Sequence, residues 1–290
     1  MQFNIGWILL FLVVRSFSFG TETSTLRTDF SEGFGPWEYL DSGEWLIVEV
    51  AGNSIARLNK AGEQQLPVRR PTAYCLLSGQ VWTDTQITLR AKTLESDLVV
   101  NRDISIIFGY VDDTHFYYAH ISSNSDDAFH NIIMKVKGTE RETIDLEVLP
   151  EPRLTGGWHT LRVEHDKSGA IRVYVDDFES PLMTAQDTDY PAGSVGFGSF
   201  DDRALFDDVI ITGKRLKPFD EQVRLIDTGK EILLSFAGNE GFSYQLQQST
   251  DSASWRPTGL RIRGQNAALQ LPLDPSHTFA RVLVFSPALP

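Results

Sequence analysis

Three of the chain's six histidines, His115, His120 and His130, fall within Asn101–Lys137, together with Tyr110, Tyr117 and Tyr118. Imidazoles and phenols can exchange protons in a reaction, and aromatic side chains commonly line sites that take small polar ligands. The stretch divides into three apolar-rich runs of strand periodicity, separated by Asp- and Ser-rich turns. Side chains alternate between the two faces of a strand. Tyr117, Ala119 and Ile121 read as core-facing, which turns Phe116, Tyr118 and His120 outward. Asp103 and Ser105 share the outward side with Ile107. In the third run Ile132, Met134 and Val136 form the apolar face and leave Asn131, Ile133 and Lys135 on the more polar one. With the strands side by side, one face gathers Asp103, Ser105, Tyr118, His120, Asn131 and Lys135. A slip of one residue inverts such a list. The set suits three uses: a surface for sugar hydroxyls, a proton-transfer site with His120 and Tyr118 as acid and base, or a half-solvated sheet face with no ligand.

Other chemistries find less support. A retaining glycosidase needs two carboxyl groups about 5 Å apart. Glu142-Thr143-Ile144-Asp145-Leu146-Glu147 comes near, but Glu142 and Asp145 have opposite strand parity. A lyase needs a base beside a group that neutralises a substrate carboxylate, and Tyr118, His120 and Lys135 have the right types. The three histidines lack zinc-site spacing, and His130 shares the parity of Ile132 and Met134, as a packing residue would. Asp112-Asp113, Asp126-Asp127 and Asp201-Asp202 read as turn residues, bonding their own backbone. No phosphate-cradling glycine loop precedes a helix, and no Gly-x-Ser-x-Gly occurs. No organic cofactor is expected.

The elements that must position these groups are strands. Ile87, Leu89 and Ala91 alternate with Gln86, Thr88 and Arg90. Trp158–Glu164 and Ala170–Asp176 read as a hairpin around Asp166-Lys167-Ser168-Gly169. Ser194–Ser199 is a glycine-spaced strand and Phe206–Thr212 closes the first domain. No helical stripe appears, so the fold class is all-β. After a linker over 214–220 the pattern restarts, with a turn at Asp227-Thr228-Gly229-Lys230 and Trp255 as the expected core plug of a small β-sandwich over 221–290.

Composition narrows the partners. A net charge of -13 opposes phosphate backbones and anionic membrane surfaces, so nucleic acid is not expected. The apolar run Ile5–Val14, followed by small residues at Ser18 and Gly20, reads as a signal peptide over 1–20, and the mature protein as secreted or periplasmic with no membrane association. A retained anchor is the alternative. One cysteine, Cys75, excludes an internal disulfide, and its apolar neighbours predict burial.

Residues 25–213 resemble the concanavalin A-like jelly roll, including laminin-G-like and 3-keto-glycoside hydrolase-like modules. The likeness is carried by Asp29-Phe30 with Trp37, Gly157-Trp158-His159-Thr160-Leu161-Arg162-Val163, Ile171–Asp177, Gly193–Gly198 and Phe206-Asp207-Asp208-Val209. Phe108–Ser122 is similar to secreted planctomycete-type proteins, and Tyr244–Asp251, Trp255 and Phe279–Val282 resemble fibronectin-III-like modules. The resemblance implies a glycan or polysaccharide partner on the concave face. It also implies a structural Ca2+ between the first and last strands, with Asp29, Asp207 and Asp208 as ligands. Such folds host binders, glycoside hydrolases and polysaccharide lyases alike. A lectin-like role leads; a glycoside-active enzyme and a non-catalytic adhesion or scaffold module remain open.

Overall fold

The computed structural model describes residues 9–10, 23–40, 44–60, 68–125, 130–149, 151–218, 224–265, 267–274, 276–277 and 279–287. The expected signal peptide apart from Leu9 and Leu10, the last two linker residues and the Asp126-Asp127 pair lie outside them. The described residues contain strands and turns but no α-helix, in agreement with the all-β reading. The chain forms two compact units, Thr21–Arg215 with Pro287–Pro290, and Met1–Gly20 with Leu216–Ser286.

The larger unit is a sandwich of two antiparallel sheets. One has seven strands in the order β11 (Glu140–Thr143), β10 (Ile132–Lys137), β9 (His115–Ser122), β8 (Asp103–Asp112), β16 (Ser194–Ser199), β6 (Ala73–Leu76), β3 (Glu38–Tyr39). The other runs β12 (Asp145–Val148), β15 (Met183–Gln186), β14 (Ala170–Val175), β13 (His159–His165), β7 (Trp82–Thr93), β17 (Ala204–Arg215), β5 (Asn53–Leu58), β4 (Leu46–Val50), with β2 (Thr23–Thr28) also on β17. Alternation along β7 and β13 sends Ile87, Leu89, Leu161 and Val163 into the space between the sheets, where they meet Ile104, Ile106, Phe108, Tyr117, Ala119 and Ile121. The expected hairpin is present: β13 and β14 pair antiparallel, and Gly169 turns the chain with φ 88°.

The three central strands lie side by side as the sequence suggests, but neither face of their sheet is open. Behind the main core a second apolar layer holds Ile107, Tyr110, Phe116, Tyr118, Ile132, Met134 and Val136, packed with Val68, Tyr74, Leu76 and Phe200. The parity assigned to β10 is therefore corrected. Ile132 pairs with His120 and Met134 with Tyr118, and directly paired residues share a face. Ile132, Met134 and Val136 thus belong with the outward set, while Ile133 and Lys135 sit on the side of Ala119 and Tyr117. Because both layers are apolar, hydrophobicity alone could not distinguish them.

The smaller unit has two sheets. One is ordered β1 (Leu9–Leu10), β23 (Phe279–Phe285), β20 (Ser243–Ser249), β21 (Arg256–Arg263), with β1 parallel to β23. The other is β18 (Arg224–Asp227), β19 (Ile232–Gly238), β22 (Ala267–Leu273), and the expected turn joins β18 to β19. Its interior is built from Leu234, Phe236, Phe242, Tyr244 and Leu246. Trp255 is not the plug. It is half-buried beneath the Arg281 guanidinium, 4.2 Å from its ring, because it lies in the irregular segment before β21 rather than on an inward strand position.

Candidate functional site

The polar groups converge where β8 begins and β16 ends. These strands are neighbours, with Gly198 opposite Ser105, so the segment after Ser199 returns beside Asp103. On its other side, glycine at 198 lets β16 lie close against β6: an added Cβ would lie 2.1 Å from the Ala73 carbonyl oxygen. Asp103 is fully buried, and its Oδ1 accepts from Ser199 Oγ and Phe200 N, both at 2.8 Å. Its backbone N–H donates to Asp202 Oδ2 at 2.6 Å, and Asp202 N donates to Ser199 Oγ at 2.9 Å. Asp103 Oδ2 faces His120 Nε2 at 3.5 Å. Ligand oxygens of Asp103, Asp201 and Asp202 all lie within 4.8 Å of one another.

Electrostatics follow this crowding. Burial pushes the Asp103 carboxyl up, but the charge and hydrogen bonding of His120 hold it below the usual carboxylate range. Burial and the adjacent Asp103 raise Asp201 to about 6 and Asp202 to about 7. Around the acids stand rings and cations. Phe200 packs 5.6 Å from His120, and the His130 ring lies 5.6 Å from it. The guanidinium of Arg69 sits 5.0 Å from the Phe200 centroid and that of Arg141 at 5.9 Å. Arg141 Nη1 donates to Tyr118 Oη at 3.0 Å. Arg69, His130 and Arg141 are half-buried and Asp201 is exposed, so this edge of the cluster meets solvent.

Of the six face residues expected, four come together: Asp103, Ser105, Tyr118 and His120. Tyr118 is buried, and burial raises its phenol to about 12 although Arg141 opposes the shift, which makes it a poor base near neutral pH. Asn131 is a loop brace, accepting from Ser122 N at 2.7 Å and donating to Asn124 O at 3.0 Å and to Ser125 Oγ. Lys135 lies on the opposite face, where it binds Glu142, Asp187 and Asp189. Burial lowers its basicity, but these three carboxylates raise it above the ordinary lysine value.

The near-miss acids over 142–147 separate for a further reason: Glu142 lies on β11 and Asp145 and Glu147 on β12, in different sheets. Asp29, Asp207 and Asp208 do not form a group of mutually close oxygens among the described residues. Asp29 accepts from Ser31 N and Oγ, Asp207 from Asn53 Nδ2 and Asp208 N, and Arg90 lies 3.2 Å from Asp208 and 3.9 Å from Asp207. The site residues the sequence did not single out are Phe200, Asp201, Asp202, Arg69 and Arg141. Their only signal was Ser-Phe-Asp-Asp after a glycine-spaced strand, read as a turn.

No protein-family model and no curated protein matches the chain. Solved structures do. The carbohydrate-binding module CBM66 from Bacillus subtilis aligns over 60% of this chain and 93% of its own, with 17% identity and a TM-score of 0.42. A protein of unknown function with a galectin-like fold from Bacillus subtilis aligns over 66% and 96%, at 11% identity and 0.43. The exoplasmic/lumenal domain of VIP36 in its Ca2+/Man3GlcNAc-bound form aligns over 67% and 89%, at 9% and 0.41. At these identities the likeness concerns the fold alone.

Proposed function

We propose that the larger unit recognises a carbohydrate at the solvent edge of the Asp103–Asp201–Asp202 cluster, and that the protein acts outside the cytoplasm. The observation that carries the reading is the convergence of fixed acceptors and donors on one strand end. Asp103 and Asp202 are held by backbone and Ser199, so their oxygens keep fixed directions, Arg69 and Arg141 lie over the ring of Phe200, which precedes the exposed Asp201, and His130 lies against His120. Sugar recognition needs such a set, because vicinal hydroxyls both donate and accept and a preorganised site loses little entropy on binding. With a net charge of -13, a neutral glycan is the better partner. Localisation outside the cytoplasm is supported by the apolar N-terminal run alone.

A second reading, a glycoside-active enzyme, is favoured by one feature: three carboxylates beside an imidazole, within 4.8 Å of one another for the acids. A glycan-array screen of the full chain beside Asp201→Ala and Arg141→Ala separates these. Binding that both substitutions weaken at least tenfold, with the glycan recovered intact, is the expected result. Cleaved products would move the protein to the enzyme reading, and no binding to any glycan would sink both.

A further inference from the structure

The strands β20, β21 and β23 of the smaller unit carry four arginines, Arg256, Arg261, Arg263 and Arg281, and neither an Asp nor a Glu. The chain as a whole has a net charge of -13. Leu216–Ser286 holds seven Lys and Arg against seven Asp and Glu, so the acidic excess lies outside it. The acids nearest these strands in sequence, Glu240, Asp251 and Asp274, belong to the connecting segments, where Asp251 and Asp274 accept from their own turns. Pairing sorts three of the four arginines onto one side. Tyr244 and Leu246 fill the interior of the unit, so Ser243 and Gln247 look the other way. Ser243 pairs with Arg263 and Phe285, and Gln247 with Arg281, which places Arg263, Phe285 and Arg281 on that outer face. Arg261 joins them, its guanidinium 3.9 Å from the Phe285 ring centroid. The Arg281 guanidinium lies over the Trp255 ring, and its Nε donates to Gln247 Oε1 at 2.8 Å. Stacking on a ring fixes the plane of a guanidinium and leaves its N–H edge for a ligand.

We infer that this outer face of the smaller unit binds an anionic polysaccharide whose charges are carboxylates, a polymer of uronic acids. The arginines set the sign of the partner, and the planar fork of a guanidinium matches a carboxylate through two parallel hydrogen bonds. Gln247 spends its Oε1 on Arg281 and leaves its amide nitrogen as a donor for sugar hydroxyls. Duplex nucleic acid, with a charge about every 1.7 Å, would meet the repulsion of the whole acidic chain, whereas a uronate polymer carries at most one carboxylate on each sugar. Arg261 and Arg263 are exposed, so their charges are open to such a polymer. This contact is separate from the neutral-glycan site of the larger unit and stands without it.

The test is isothermal titration calorimetry of the full chain with polygalacturonate, in 50 and 500 mM NaCl. Binding is expected at 50 mM and should weaken at least tenfold at 500 mM, because ion pairs made by exposed arginines are screened. Arg261→Ala combined with Arg263→Ala should weaken it at least tenfold at 50 mM. Arg224→Ala, at an exposed position on β18 in the other sheet of the unit, should stay within twofold of the parent. Circular dichroism shows whether the double variant folds; if it does not, Arg263→Ala alone decides, with at least a threefold loss expected. Absence of binding at 50 mM NaCl would overturn the inference. So would an equal loss in Arg224→Ala, or binding that the double variant keeps and Arg141→Ala removes. Dextran sulfate binding more tightly than polygalacturonate would overturn the assignment to carboxylates.

Discussion

His165 shows how one side chain ties pH to stability. It points inward from β13, its ring 5.4 Å from both Phe108 and Tyr117, and its Nε2 has no hydrogen-bond partner. Burial lowers it to about 4, against the weaker pull of Asp166, Asp187 and Asp84. A depressed folded value means the unfolded chain takes up the proton first. The stability it supports is whole above about 6.5 and is lost as pH falls to about 4, amounting to about 3 kcal/mol. Urea denaturation between pH 7.5 and 4 should show that decline, and His165→Phe should flatten it; an equally steep profile in the variant would refute this account. His159 has a different task on the same strand. Its Nδ1 pairs with Asp176 Oδ2 at 2.7 Å and its Nε2 accepts from Thr155 N at 2.9 Å, so it clasps the loop before β13 to the end of β14. His159→Ala is expected to cost about 1–3 kcal/mol, read in the same denaturation experiment, with no effect on ligand binding.

Between elements, the ion group around Lys135 joins the two sheets of the sandwich. Lys135 stands on β10, while Asp187, which also accepts from Tyr117 Oη, follows β15 in the other sheet. Asp187→Ala should therefore cost about 2–3 kcal/mol, because it strips a mostly buried cation of a partner. Glu142→Ala removes an exposed partner and should cost under about 1 kcal/mol; the reverse order in melting curves would contradict the assignment. Gly198→Ala should destabilise by about 2–3 kcal/mol, since its new Cβ would meet the Ala73 carbonyl. Strands, hairpins and their turns were legible from alternation and from Asp-Gly chemistry, as at Gly169 and Gly229. The pairing of β16 with β8 was not, because nothing local in Ser194–Ser199 names a partner some ninety residues upstream, at Ser105–Tyr110. That pairing is what brings Asp201 and Asp202 to Asp103. The misplacement of Lys135 and Asn131 has a related cause: with apolar layers on both sides of the sheet, only the register with β9 tells which face is which.

At the scale of the whole molecule, each unit has its own interior, and the polar cluster belongs entirely to the larger one. The net charge of -13 bears on partners more than on fold. Binding of a neutral glycan should vary less than about twofold between 50 and 500 mM NaCl, since no long-range charge attraction drives it. A steep salt dependence would instead indicate an anionic polysaccharide drawn to Arg69 and Arg141. The central claim, that carbohydrate is recognised where β8 begins and β16 ends, is tested most directly by calorimetric titration of the strongest array glycan. The full chain is compared with Asp201→Ala and with Arg172→Ala, an exposed residue on β14 in the other sheet. The account expects Asp201→Ala to weaken affinity at least tenfold and Arg172→Ala to stay within twofold of the parent. Binding lost in Arg172→Ala and kept in Asp201→Ala would contradict it.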